Sequence, residues 1–222
     1  LRATVEAVLS VPMTTFRGQV KDRDTGQGVQ APVSFRSKTR VDSTHTDSTG
    51  RYAVRLPRDS VVKVEAVAKN YFFEDFTTRI FGSPELYKKY KINTDIVLPP
   101  ARAGEKAVLR NLFFVGDQAV LLKMSEPELP RILKFMQINA GLQVEIAGHI
   151  NKPGDPIPEP DSIEMNLSIN RARVIYEYLL KNGIPAERLR YKGYGNSEMM
   201  FPHALGPKES EQNRRVEIRV LQ

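Results

Sequence analysis

The spacing of apolar residues changes once along this chain of 222 residues, and the change falls near residue 100. In the first part, apolar and polar residues alternate over short segments such as 32–36 and 51–56, with the period of two that a half-buried strand requires. Turn-forming runs of Asp, Thr and Gly, such as 46–50, separate these segments. Several short strands at this spacing predict an all-β domain, a small antiparallel sandwich, over residues 14–100.

The second part of the chain has the pattern of strands that alternate with helices. Residues 107–115 form an apolar run typical of a strand, and Ser125 and Glu128 have the spacing of a capping box at a helix start. That helix would bury one stripe of side chains, namely Leu129, Ile132, Leu133 and Met136. The alternation predicts an α/β or α+β domain over residues 107–222, with a mixed sheet and helices on one face.

A further helix is predicted after the Pro-rich stretch that follows residue 152. Ser168 is its predicted N-cap, and Gly183 is predicted to end it. Its buried stripe would consist of Ala172, Ile175 and Leu179. With this start, Arg171 lies in the first turn, where free backbone N–H groups and the helix dipole favour an anion.

The segments outside the two predicted domains are short. The chain begins at Leu1 with neither an initiating Met nor a signal-peptide pattern, and we expect residues 1–13 to be the tail of an upstream element. Residues 101–106, between the two domains, are expected to be a linker.

The composition excludes several classes of function. The net charge is +7, but both parts of the chain mix the two signs without a basic run interleaved with aromatics, so no nucleic-acid partner is expected. No apolar run approaches the ~20 residues of a membrane helix, so no direct membrane span is expected in this segment. The chain has no Cys and only three widely spaced His, and it lacks a nucleophile motif. We therefore expect no metal site, no cofactor and no enzymatic activity.

Three motifs in the second part of the chain occur in a recognisable order. They are A-G-H-I-N at 147–151, L-S-I-N-R-A-R-V at 167–174 and N-R-R-V-E-I at 213–218. In this order they resemble the OmpA C-terminal-like domain, and the resemblance spans about residues 105–222. It implies a non-catalytic domain in the periplasm, associated with the outer membrane, that binds the diaminopimelate side chain of a peptidoglycan stem peptide.

The resemblance also implies which residues form the binding site. The Arg of the family motif L-S-x-x-R-A corresponds to Arg171, which would bind the diaminopimelate carboxylate bidentately. The Asp of the family motif G-H-T-D corresponds to Asn151, which can accept a hydrogen bond from the ligand ammonium but brings no charge. Asp117 and Arg214 correspond to positions that border the same pocket, and Glu164 replaces a family Asn.

The substitution at Asn151 leaves three interpretations open. The loop 152–163 is longer than the usual family loop, and Asp155, Glu159 or Asp161 could supply the missing charge. Alternatively, Asn151 holds the ligand with weaker affinity or altered preference. In the third interpretation the domain keeps the fold but has lost wall binding, which would make the protein an interaction scaffold for other envelope proteins.

The first part of the chain carries a second resemblance. The motifs G-x-V-x-D-x-x-T-G at 18–26 and T-D-S-T-G-R-Y at 46–52 resemble the carboxypeptidase regulatory-like, transthyretin-like domain. This implies a structural or partner-binding spacer. The order of the two domains resembles PorE-type envelope proteins of Bacteroidetes, components of the type IX secretion machinery. Together the resemblances imply a cell-wall anchor that tethers an outer-membrane or secretion-system assembly, with other envelope proteins as partners.

Overall fold

The structure, a computed structural model, describes residues 11–222 of the chain. The chain divides into two compact units, with the division between Pro100 and Ala101. The upstream tail predicted over residues 1–13 lies mostly outside the described residues, and Met13 already begins the first strand.

The first unit contains two sheets and one short helix. One sheet has three strands in the order β4-β1-β7, with β1 antiparallel to β4 and parallel to β7. The other has four antiparallel strands in the order β3-β2-β5-β6. The elements are β1 (Met13–Asp22), β2 (Pro32–Arg36), β3 (Val41–His45), β4 (Arg51–Pro57), β5 (Val61–Ala66), β6 (Glu74–Arg79), α1 (Pro84–Lys89) and β7 (Ile96–Leu98).

Buried side chains from both sheets form one core in this unit. Phe16 of β1 and Phe35 of β2 meet edge to face with ring centroids 6.0 Å apart, and Tyr52 of β4 lies within 6.2 Å of both rings. The Tyr52 hydroxyl donates to the carbonyl of Thr94, which gives the buried phenol its hydrogen-bond partner. The transthyretin-like assignment of this unit stays a prediction.

The second unit is a mixed sheet with helices packed on it. The strand order is β10-β9-β11-β8, in which β9 and β10 are parallel and the other neighbours are antiparallel. The mixed sheet is therefore as predicted. The elements are β8 (Lys106–Val108), α2 (Leu129–Ile138), β9 (Val144–Gly148), α3 (Ile163–Lys181), β10 (Leu189–Gly193), α4 (Pro207–Asn213) and β11 (Val216–Val220).

Helix α3 packs against β9 and β10 through the predicted stripe of Ala172, Ile175 and Leu179, all fully buried. Helix α2 contacts α3 and buries Ile132 and Met136, as predicted, together with Phe135. None of the helices among residues 11–222 is both long enough and apolar enough to cross a membrane.

Residues 101–106, for which we expected a linker, are bonded to the second unit. The amide of Gly104 donates to the carbonyl of Val220, and the amide of Val220 donates to the carbonyl of Glu105. Ala101 is buried. The segment therefore belongs to the second unit and is not a free connection.

The strand predicted at 107–115 is wrong beyond Val108. Asn111 has a φ of +63°, a backbone conformation that a strand does not contain, and it turns the chain away from the sheet. Leu109 and Leu112, which lie on either side of this turn in the sequence, are both buried. An apolar run shows that side chains are buried but does not show that the backbone is extended.

The predicted capping box is also wrong. A 3₁₀ segment, Lys123–Glu128, precedes α2, and Ser125 lies inside it. The Ser125 hydroxyl accepts from the amide of Phe113 at 2.7 Å and donates to the carbonyl of the same residue at 3.1 Å. Glu128 accepts from Asn111 and pairs with Arg131 instead of reaching back to Ser125. The two side chains therefore bond to other segments and do not cap the start of the helix.

Candidate anion-binding site

Two glycines bring helix α3 against the ends of β9 and β10. A Cβ atom at Gly148 would lie 1.9 Å from the carbonyl oxygen of Ser168, and one at Gly193 would lie 2.3 Å from the Ser168 hydroxyl. Because neither position has room for a side chain, Gly148 and Gly193 are required for this close approach. The Ser168 hydroxyl also accepts a hydrogen bond from the amide of Gly195 at 3.2 Å.

The position of Ser168 corrects the predicted start of the helix. Helix α3 begins at Ile163, and its N-cap is Ser162, whose hydroxyl accepts from the amide of Met165. Arg171 therefore lies more than two turns inside the helix. The expectation that helix N-terminal N–H groups and the dipole assist Arg171 is wrong, because both effects fade beyond the first turn.

Arg171 is the centre of the candidate site. Its side chain is nearly buried, at 3% exposure, and Nε donates to the carbonyl of Gln118 at 3.2 Å. The guanidinium carbon lies 5.2 Å from the centroid of the Phe114 ring, a cation–π contact. Within residues 11–222, no hydrogen bond or ion pair to the two terminal guanidinium nitrogens is found. Those nitrogens are the pair that binds a carboxylate in a bidentate manner.

Phe114 and Gln118 belong to a tight hairpin that holds Arg171 in place. The amide of Val115 donates to the carbonyl of Val120, and the amide of Leu122 donates to the carbonyl of Phe113. Sequence reasoning missed the roles of Phe114 and Gln118. A backbone carbonyl acceptor and a ring contact leave no residue-type signal at a fixed spacing from the Arg.

The charges around Arg171 are mostly positive. Burial lowers the pKa of the Arg171 guanidinium, the nearby Arg214 lowers it further, and Asp117 partly offsets both. Arg171 is nevertheless a cation at neutral pH, because an Arg side chain does not deprotonate in proteins. Two guanidinium groups and one exposed carboxylate thus share the site. This arrangement favours an anion.

Asn151 is joined to the same site through Asn213. Oδ1 of Asn151 accepts from Nδ2 of Asn213 at 2.8 Å, and Asn213 is completely buried at the end of α4, directly before Arg214. The buried amide of Asn213 also exchanges two hydrogen bonds with the main chain of Phe201. Arg214 and Asp117 thus lie near enough to Arg171 to shift its pKa, and Asn151 is bonded to the residue directly before Arg214. We call these four residues the candidate pocket.

The acidic residues of the long loop are not brought into this group. Asn196 donates through Nδ2 to the carbonyls of Lys152, Asp155 and Pro156, and so fixes the loop backbone. The carboxylates of Asp155 and Asp161 are exposed, and within the described part of the chain neither bonds to the residues of the pocket.

Glu164 is in the first turn of α3 and faces Lys152 across 3.9 Å. In the described part of the chain, no carboxylate of residues 152–164 forms a hydrogen bond or an ion pair with Arg171 or Asn151.

A second polar cluster lies beside β11. His149, Glu198 and Glu217 place one ligand-type atom each within 4.8 Å of one another, a spacing that a metal ion could bridge. However, Glu217 already accepts from Arg215 and Arg219, and Glu198 pairs with Arg219 at 2.6 Å. Because Arg side chains pair with these carboxylates, the cluster is an ion-pair network.

Comparison with known proteins finds a family match within the second unit. Residues 113–214, somewhat less than half of the chain, match the OmpA family. The segment is thus similar to OmpA-like domains, a non-enzymatic family. The matched residues include every member of the candidate pocket, from Asp117 to Arg214.

Individual relatives match parts of the chain. The outer membrane porin F of Pseudomonas fluorescens is 31% identical over 107 residues, which cover 48% of this chain and 31% of the relative. A protein of Gloeobacter violaceus described as photosystem I P700 chlorophyll a apoprotein A2 is 34% identical over 125 residues, 54% of this chain and 14% of the relative. The chain thus spans less than a third of the length of the curated relatives it matches. Among solved structures, the periplasmic domain of Helicobacter pylori MotB is 21% identical, with 52% of this chain and 73% of that chain covered and a TM-score of 0.43.

Proposed function

We propose that the second unit binds the peptidoglycan stem peptide, with the carboxylate at the free end of its diaminopimelate side chain held by Arg171. The observation that carries this proposal is the state of the Arg171 side chain. It is 3% exposed and held by Gln118 and Phe114, yet its two terminal nitrogens have no partner within the described residues. Neither terminal nitrogen is among the buried side-chain donors that lack a partner in the described residues, so both are open to solvent and can bind a carboxylate in a bidentate manner.

Arg214 and Asn151 complete the proposed pocket. Arg214 adds a second cation, which attracts an anionic ligand and strengthens its binding at low ionic strength. Asn151 lies beside Arg214 through its hydrogen bond to Asn213. Asp117, at a positive φ in the hairpin turn, offsets part of the positive charge of the two Arg side chains.

The wider role that we propose is that of a non-catalytic anchor in the periplasm. Relatives that match part of the chain include proteins named as outer membrane proteins, which supports a place in the cell envelope. In this proposal the first unit is a transthyretin-like spacer or partner-binding domain, and the chain tethers an outer-membrane or secretion-system assembly to the wall. A PorE-type role in type IX secretion rests on the sequence resemblance alone.

The proposal is tested by measuring the binding of the full chain to purified sacculi and to a diaminopimelate-containing stem peptide. Arg171→Ala should abolish both. Arg173→Ala is the matched control, because Arg173 lies on the exposed face of the same helix and, among residues 11–222, bonds only to Asn170 and Glu177. Equal binding by the native chain and Arg171→Ala would overturn the role of Arg171. Absence of binding by the native chain would overturn wall anchoring.

An interaction scaffold is the second candidate function. Leu205 and Ile163 are 96% and 85% exposed, so both side chains are available for contact with another protein. If the native chain does not bind sacculi but retains an envelope protein through these side chains, this candidate replaces the first. Substituting both with Ser should then abolish the interaction.

A further inference from the structure

Asn151 is locked in one orientation by a chain of hydrogen bonds that starts at a backbone group. The amide of Phe201 donates to Oδ1 of Asn213 at 2.9 Å, and Nδ2 of Asn213 donates to the carbonyl of Phe201 at 2.8 Å. A backbone N–H can only donate and a carbonyl can only accept, so the orientation of the Asn213 amide is fixed. Turning it over would set donor against donor and acceptor against acceptor.

The fixed amide of Asn213 in turn fixes Asn151. The remaining hydrogen of Asn213 Nδ2 points at Asn151, which must present an acceptor, and Oδ1 of Asn151 lies there at 2.8 Å. The other end of the Asn151 amide, Nδ2, is therefore the atom left over. It makes no hydrogen bond to the rest of the described chain, and Asn151 is only half-buried.

This lock has a chemical consequence for the ligand. An Asp at this position could accept from Asn213 with one oxygen and still offer the other, with its charge, to an ammonium group. Asn151 instead offers N–H hydrogens, and an ammonium group is itself a donor without an acceptor. Nδ2 of Asn151 can therefore donate a hydrogen bond to a carbonyl oxygen but cannot form one with an ammonium group.

The charges of the pocket favour the same kind of ligand. Arg171 and Arg214 contribute two positive charges, and Asp117 contributes one negative charge. A zwitterionic side chain would bring a further cation into this pocket. If its amine is acylated, the side chain brings only the carboxylate, and the acyl carbonyl becomes an acceptor.

From these two observations we infer that residue 151 selects diaminopimelate whose side-chain amine is acylated, as it is in a peptide cross-link, over diaminopimelate with a free ammonium. The carboxylate binds to Arg171, and the acyl carbonyl accepts from Nδ2 of Asn151. This inference rests on the proposed function, because it names the form of the same ligand that the pocket prefers.

The test is isothermal titration of two synthetic peptides into the full chain. Both are L-Ala–γ-D-Glu–diaminopimelate, one with a free side-chain amine and one with that amine acetylated. The native chain should bind the acetylated peptide more tightly than the free one. Asn151→Asp keeps an acceptor for Asn213, so it preserves the lock, and it should prefer the free amine by about tenfold because a charge-assisted hydrogen bond replaces a mismatch.

Each outcome of the titration decides the question. If the native chain binds the free-amine peptide as tightly as the acetylated one, or more tightly, the inference is wrong while the proposed function stands. If the native chain binds neither peptide, both fail together. Arg171→Ala should lose both peptides equally, which separates the role of the carboxylate from that of the amine.

Discussion

Nε of Arg215, directly before β11, donates to Oε1 of Glu217 within that strand at 2.8 Å, and both side chains are at least 95% buried. Arg219 and His149 approach the other carboxylate oxygen of Glu217. Burial raises the pKa of Glu217, but the hydrogen bond from His149 and the charges and hydrogen bonds of the two Arg side chains outweigh it. The pKa of Glu217 is therefore well below its ordinary value of 4.5.

This pKa shift predicts that the second unit loses stability in acid. A carboxylate whose pKa is lowered by folding contributes stabilisation that is complete above about 4.5, the pKa of the unfolded chain, and is lost as pH falls further. Burial also lowers the pKa of His149, so its neutral form is favoured and some stability is lost already as pH falls below 6.5. The free energy of unfolding, measured with urea from about pH 8 down to about pH 3, should show both decreases.

Glu217→Gln should destabilise the second unit by about 3–5 kcal/mol at neutral pH, because it leaves buried Arg charges without their partner. The variant should also show a weaker dependence of stability on pH below 4.5 than the native chain does. If the variant has native stability and the same dependence of stability on pH below 4.5 as the native chain, the ion pairs of Glu217 do not contribute to the stability of this unit.

Gly148→Ala should destabilise the second unit by about 3 kcal/mol or more, since the added methyl would meet the main chain of Ser168 at 1.9 Å. Gly141→Ala is the control, because a Cβ atom there meets no other atom within 4 Å. The measurement is urea unfolding followed by circular dichroism, with hydrogen exchange of β9 to locate the effect. Similar stabilities of the two variants would show that the helix can move away at little cost.

Two serines distinguish the observed start of α3 from the one predicted by sequence. Ser162→Ala should cost about 1 kcal/mol, the usual value of a helix cap, and should speed amide exchange only in the first turn. Ser168→Ala removes the buried acceptor of the Gly195 amide and should cost about 1–3 kcal/mol. If Ser168→Ala frayed a helix start and Ser162→Ala had no effect, the predicted start would be right after all.

The sequence predicted the type and order of most elements because periodicity follows directly from burial. The stripe of Ala172, Ile175 and Leu179 is an example, and it is buried as expected. The Ser residues were assigned less well. Ser125 and Ser168 both have the spacing of a cap, but each hydroxyl bonds to a loop that is distant in sequence. A local pattern does not specify which of several partners a hydroxyl will meet.

The pocket was predicted in part for the same reason. Motif spacing identified Arg171 and Asn151, but the state of each side chain depends on contacts with remote segments. Gln118 and Arg171 are 53 positions apart, and Asn151 and Asn213 are 62 apart. The sequence therefore indicated the residue types of the site but not that Arg171 has two uncommitted nitrogens or that the amide of Asn151 is locked.

Asn196 is predicted to order the long loop at the edge of the pocket. Its Nδ2 donates to three loop carbonyls at 2.9–3.2 Å, and the side chain is nearly buried. Asn196→Ala removes these bonds, so amides of residues 152–160 should exchange roughly tenfold faster, given about 1 kcal/mol for each hydrogen bond and partial replacement by water. Asn196→Asp should be more disruptive, because its carboxylate would face the same carbonyl oxygens. Hydrogen exchange measured by mass spectrometry tests both variants, with β9 as the internal reference. Unchanged exchange in the loop would mean that its Pro residues alone hold its conformation.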